Sequence, residues 1–173
     1  MLAGSDRPLV VTAGLAGFAP GRVATEDDAP VGMGRNSEQT ALALAAQGVR
    51  ALVARRAPSV HDQDDYGFVP YLIKVARQHG VSAYVGDGRN RWPAVHRLDA
   101  ARLFRLTLEQ GVGGSRYHAA GDEGVPVRDI AEVIGRRLNL LVVAKSAEEA
   151  AEHSGWLASF LALDNPISSA LTQ

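Results

Sequence analysis

The chain has 173 residues, enough for one domain with a small lobe and for a core that needs no covalent staples. Its 46% hydrophobic and 21% charged residues exclude wholesale disorder, and 18 basic against 19 acidic side chains exclude a strongly basic nucleic-acid binder. With no cysteine, disulfides, thiolate catalysis and Cys-ligated zinc or iron–sulfur centres are excluded as well.

Pro8 to Gly14 is a short apolar, β-branched run closed by glycine and predicts a buried strand. Its apolar stretch follows Asp6 and Arg7 and is broken by glycines before Pro20, which is unlike a secretory signal. No apolar run approaches the ~20 residues of a bilayer span, so the expected location is cytoplasmic, with neither membrane nor nucleic acid as partner. Leu15 to Met33 is rich in Gly, Pro, Ala and acids and predicts a long irregular loop. Ser37 is placed to cap a helix through about Gln47, with Leu42, Ala45 and Ala46 on one face and Gly48 as the stop. Val49 to Ala54 predicts the next strand, and Pro58 to His61 ends it in a loop.

The alternation continues. Phe68 to His79 carries Leu72, Val75 and Ala76 at helical spacing before Gly80. Ser82 to Val85 is a short strand before the turn Gly86-Asp87-Gly88. Asp99 is placed to cap a helix to about Gln110, and Arg116 to Ala119 is a strand. Pro126 suits the first position of a helix whose apolar face is Ile130, Val133, Ile134 and Leu138. Leu140 to Ala144 is a strand, and Ser146 with Glu149 forms a capping box. Strands alternating with helices predict an α/β domain with a largely parallel sheet, whose ligands bind at the carboxyl ends of strands.

The chain has no G-x-G-x-x-G between a first strand and a helix, and Gly32-x-Gly34-x-x-Ser37 lacks the preceding strand. His61 to Gly67 groups oxygen ligands and an imidazole, but a calcium loop would need an acid or amide where Tyr66 stands and a Glu where Ile73 stands; it predicts a solvated acidic loop. Gly86 to His96 is the most distinctive segment. Arg89 and Arg91 suit a phosphate or carboxylate, or pair with surface acids; Trp92 stacks on a ring or packs in the core. His96 beside Asp99 is either a poised acid–base or a satisfied histidine at a helix start.

The order of these segments resembles the later part of an extended, atypical short-chain dehydrogenase/reductase of the NAD-dependent epimerase/dehydratase family. The carrying residues are Thr25-Glu26 with Pro30, Arg56 with Val60-His61-Asp62, Phe68-Val69-Pro70 with Leu72-Ile73, Gly86-Asp87-Gly88 with Arg91, Val95-His96, Asp99 and Ala101, and Tyr117-His118 with Val127 and Asp129 to Gly135. The resemblance implies a partial Rossmann-like doubly wound parallel sheet, built from the later strands, plus a small α/β substrate lobe. Residues 1–62 would be the C-terminal part of the nucleotide domain and 63–173 mainly the lobe, with some segments returning to the main sheet. It further implies an oxidoreductase using NAD or NADP. Thr12 would be the active-site hydroxyl beside the cofactor, and Pro58, Ser59 and Val60 would line the nicotinamide side. Phe68, Val69, Arg91 and His96 would border a small-molecule substrate, with Arg91 at the position that grips a nucleotide-sugar diphosphate. The family's Tyr-x-x-Ser-Lys aligns with Gly34 to Glu38, so the phenol is replaced by Gly34 and the lysine by Glu38. That departure leaves a second expectation, a non-catalytic dinucleotide-binding sensor or partner module. The missing glycine fingerprint makes the chain, on this resemblance, a fragment that is inactive alone; a homodimer fits the family.

Overall fold

The computed structural model describes residues 2–17, 19, 21–29 and 36–172. Gly32 and Gly34, and with them the phenol position of the resemblance, lie outside the described residues.

The first sheet is parallel: β1 (Leu9–Gly14) lies beside β2 (Ala51–Arg56), which lies beside β6 (Arg116–Ala119). β2 is the middle strand and is buried along its length except at Arg56, as an apolar run in a covered parallel sheet requires. Helix α1 (Ser37–Ala45) packs on one face through Ala41, Leu42, Leu44 and Ala45, and α3 (Arg97–Gln110) packs on the other. Helices on both faces of parallel strands make this a Rossmann-like, doubly wound arrangement.

The second sheet contains three strands where the sequence predicts loops and turns. β3 (Ser59–His61) runs parallel to β5 (Arg91–His96), and β5 pairs antiparallel with β7 (Asp122–Pro126). The segment from Pro58 to His61 is thus a strand after its first residue, and Arg91 to His96 is a strand rather than an extension of the glycine turn. The Gly86-Asp87-Gly88 turn itself forms as expected. Gly88 has a φ of +67°, and a Cβ there would meet Cβ of Arg128 and Cδ2 of Tyr84 at 2.6 Å. Glycine therefore lets the helix Val127–Leu138 (α4) close onto the turn.

A third sheet pairs β4 (Val81–Val85) with β8 (Leu141–Lys145) in parallel. Helix α2 (Phe68–His79) precedes β4 and α4 precedes β8, each through a left-handed residue, Gly80 and Asn139. Because each helix folds back on a strand of the same direction, α2 and α4 run side by side with their N-termini at the same end. Their inner faces join Leu72, Ala76, Trp92, Val127, Ile134, Leu157 and Leu161 in one core. Helix α5 (Ala147–Ser154) starts with the expected capping box at Ser146 and Glu149; a 3-10 turn (Gly155–Leu157) and α6 (Ala158–Leu161) follow.

Two helix starts differ from expectation. Asn36, not Ser37, is the N-cap of α1, and Ser37 is its first helical residue. His96, not Asp99, caps α3: its Nδ1 accepts from Leu98 N at 3.2 Å, which leaves Asp99 in the first turn, where its charge suits the helix dipole. The long acidic loop is anchored by the C-terminal segment. Gly17 N donates to Asn165 Oδ1 at 2.9 Å, Asn165 Nδ2 donates to Leu15 O, and Leu15, Ala24 and Ile167 pack together.

Candidate functional site

Glu38 projects from the first turn of α1 into the protein and is 2% exposed. Both its oxygens are taken by Arg55 of β2, through Nε at 3.1 Å and through Nη2, and Arg116 Nε of β6 donates to it at 2.9 Å. Burial pushes the carboxyl up, but the two guanidiniums outweigh it and hold Glu38 below its usual range. Arg55 is itself fully buried and donates to the carbonyls of Glu26 and Asp28, so it ties the acidic loop to the sheet. Its Nη1 also lies 3.1 Å from His118 Nε2, while His118 Nδ1 is 2.8 Å from Ser168 O. An arginine can only donate, so His118 accepts at Nε2 and carries its proton on Nδ1. Burial pushes His118 below its ordinary value, toward the neutral form. The side chain at the resemblance's lysine position is therefore the centre of a buried ionic tie.

This network makes stability fall on acidification in two stages. His118 is held neutral in the folded state, so its contribution is complete above its ordinary value of 6.5 and declines as pH falls below it. Buried His153, pushed down by burial and by the neighbouring His79 and Lys145, acts in the same direction. Glu38 contributes above its ordinary 4.5 and is lost as pH falls through its lowered folded value. Unfolding free energies from urea titration should drop from pH 7 to pH 5, by about 1.4 kcal/mol per pH unit for each proton taken up on unfolding, and drop again below pH 4.5. A flat profile from neutrality to pH 5 would remove this account of His118.

The second feature is a groove of about 800 Å³ between α2 and α4, floored by β5 and β7 and closed at one side by β3. Strand alternation decides what faces it. Ser59 and His61 line the groove, whereas Val60 between them packs with Val95, Ala100 and Leu103 on the α3 side. Trp92 and Ala94 form part of the floor. Trp92 is 2% exposed and donates its Nε1–H to Phe160 O at 3.1 Å, so of its two expected roles it takes the one in the core. Arg91 takes the surface-pair role: Nε and Nη2 grip both oxygens of Asp164 at 3.0 and 2.9 Å.

The expected site residues are thus divided. Ser59 and Val69 line the groove. Phe68 turns to the aromatic cluster of Trp92, Trp156 and Phe160. Thr12 is exposed on β1, paired with Ala54 in the other sheet. Pro58 sits on the link between the two sheets, one residue before Ser59. His96 stands at the end of β5, with Nε2 3.3 Å from Asp62 Oδ1 and its ring edge-on to His61 at 5.7 Å. Arg97 holds the other oxygen of Asp62 at 2.8 Å, and the Gln63 amide together with this guanidinium keeps that carboxyl below its usual range. Sequence reasoning assigns His61 to a solvated loop, and although it names Val69 and the apolar face of Ile130, Val133, Ile134 and Leu138, it does not bring α2 and α4 together as two walls of one groove. The signal that could pair them is the arginine near the end of each helix in line with apolar groove residues, Arg77 after Val69 and Ile73 and Arg137 after Ile130 and Val133.

Strand order and helices on both faces of the parallel strands together define a Rossmann-like α/β fold. The fold is shared with dTDP-glucose 4,6-dehydratase from Streptomyces venezuelae with NAD bound (19% identity over 81% of this chain and 48% of that one, TM-score 0.65). It is also shared with a human epimerase family protein with NADPH (16% identity over 97% of this chain and 59% of that one, TM-score 0.69). No family model matches the sequence. Among curated proteins, the chain is similar to the uncharacterized protein C2A9.02 of Schizosaccharomyces pombe, 50% identical over 100% of this chain and 60% of that protein. It is 43% identical to the uncharacterized protein YLL056C of Saccharomyces cerevisiae, over 97% of this chain and 58% of that protein. The chain therefore spans about 60% of the length of the relatives it matches. Among the described residues no helix is long and apolar enough to cross a membrane.

Proposed function

We propose that the protein is an NAD(P)-dependent oxidoreductase of the epimerase/dehydratase kind, taking a small-molecule substrate in the α2–α4 groove and working without a Tyr–Lys pair. One observation carries this reading. β2 leaves the parallel sheet and, through Ala57 and Pro58, continues directly into β3 on the groove wall. A ligand at the carboxyl ends of β1 and β2, where open α/β sheets bind nucleotides, adjoins the groove.

The residues fit a dinucleotide in part. The Thr12 hydroxyl is exposed near the end of β1, and an added Cβ at Gly14 would meet nothing within 4 Å, so that strand end leaves room for a ring. Thr12 and the Pro58–Val60 segment would hold the nicotinamide end. A bound dinucleotide would supply the hydride acceptor or donor. Glu38 does not fit the ribose, because both its oxygens are already engaged by arginines. His61 is the imidazole on the groove wall and is the side chain proposed to pass a proton to or from the substrate. His96, fixed by Asp62 and by the Leu98 amide, holds the His61 ring from the side.

Titration of the protein with NAD and NADPH, followed by a carbonyl and alcohol panel, tests the reading. Micromolar dinucleotide binding and a turnover that His61→Asn lowers by about 100-fold are expected. Failure to bind either dinucleotide would overturn it. The engagement of Glu38 by two arginines favours a second reading, a dinucleotide-binding sensor without catalysis. Binding with no turnover across the panel would select that one.

A further inference from the structure

We infer that the α2–α4 groove takes an elongated apolar molecule with one anionic end, a medium-chain or arylalkyl carboxylate, seated with its anion between Arg77 and Arg137. This names the substrate class for the site proposed above and rests on that reading only in making the groove a substrate site.

Both walls of the groove are largely apolar. Along α2 the wall is Val69, Pro70 and Ile73; along α4 it is Ile130, Val133 and Leu138. The floor of Trp92, Ala94 and Val125 is apolar too. Val133 is 46% exposed, so the apolar wall is open to solvent on the α4 side. Such a surface gains by covering itself with carbon rather than with a polar ligand.

The polar groups are sorted by end. α2 and α4 run in the same direction, so their N-termini share one end of the groove and their C-termini the other. Asp62, Asp64, Asp65 and Asp129 line it at the N-terminal end, and Arg77 and Arg137 line it at the C-terminal end. Among the described residues neither Arg77 nor Arg137 has an ion-pair partner. From Val69 to Arg77 the helix rises about 12 Å at 1.5 Å per residue, the length of a medium-chain acyl tail.

The same features argue against a nucleoside diphosphate. Arg91, the arginine expected to grip one, gives both faces of its fork to Asp164. No guanidinium lies on the floor among the described residues, and the end near Ser59 presents carboxylates that repel phosphate. A carboxylate between two guanidiniums at the far end makes charge-assisted hydrogen bonds instead.

Calorimetric titration with decanoate, decanol and UDP-glucose tests the assignment. Decanoate should bind about tenfold tighter than decanol, and UDP-glucose should not compete. Replacing both arginines (Arg77→Ala with Arg137→Ala) should erase the difference between acid and alcohol and leave decanol binding unchanged. Val133→Trp, which fills the groove from its exposed lip, should weaken both ligands while the urea midpoint stays the same. Equal binding of decanoate and decanol to the unmodified protein would overturn the assignment. So would competition by UDP-glucose, or full decanoate binding by Val133→Trp. Dinucleotide titration is a separate measurement. Its failure with decanoate binding intact removes the oxidoreductase reading alone, and the reverse result removes the ligand class alone.

Discussion

Glu38→Lys should be the most damaging single substitution around the first sheet, although it introduces the residue type that the resembled family carries there. The new ammonium would sit in a buried site against Arg55 and Arg116, with no carboxylate left between them. Removing one partner of a buried ion pair costs about 3–5 kcal/mol, and a third like charge adds to that. Glu38→Gln, which keeps the shape and removes the charge, should fall in the same range of about 3–5 kcal/mol for broken buried pairs. Equilibrium urea unfolding measures both. If Glu38→Lys melts within about 0.5 kcal/mol of the parent, as an ordinary surface change would, the carboxylate is not the centre of the network. The expected loss also means that a lysine at position 38 would not be accommodated by that one mutation. Arg55 ties β2 to the acidic loop as well as to α1, so its compensating change would be needed too.

Trp92→Ala is expected to cost about 3–5 kcal/mol, the range for deleting a large buried aromatic side chain. Trp92 fills the space between the groove floor and the helical C-terminal region, and its Nε1–H satisfies the Phe160 carbonyl. The loss should therefore loosen α5 and α6 with the core. Trp92→Phe should keep most of the packing and lose the hydrogen bond, a cost of about 1–2 kcal/mol. The chain has only two tryptophans, and Trp156 is 61% exposed. Near-ultraviolet circular dichroism then reports chiefly the fixed ring of Trp92, and its signal should collapse in Trp92→Ala. A cost under about 1 kcal/mol with the signal retained would mean that the ring is a surface shelf.

The helices are largely legible in the sequence because their signals are local. Phe68 to His79 carries its apolar stripe and its stop within itself, and α2 has those bounds. Ser146 and Glu149 announce a capping box three residues apart, and it forms. The caps that differ from expectation, Asn36 and His96, have polar neighbours one to three residues away, Ser37 and Asp99, that suit the task equally well. The small sheet is illegible for a different reason. Ser59 pairs with Ala94 and Trp92 with Val125, far along the chain, and Pro58, Pro93 and Gly124 weaken each strand's own propensity.

The candidate site shows the same division. Of the series from Arg56 to His96, Ser59 and Val69 line the groove. What that series does not contain is direction. Strand pleat sends Val60 to one side and Ser59 and His61 to the other, and Asp164 takes Arg91 out of the groove. The presence of a carboxylate at position 38 is legible at once; that two arginines from separate strands close on it is not.

By itself, the order of residues determined the alternation of strands and helices, the parallel strands they build, and a carboxylate at the start of α1, since each depends on neighbours within a few positions. Which side chains meet was decided only in three dimensions. Contacts such as Glu38 with Arg116, or Arg91 with Asp164, join residues far apart in the chain that only the fold brings together, and for Glu38 burial then removes water from the carboxylate as well.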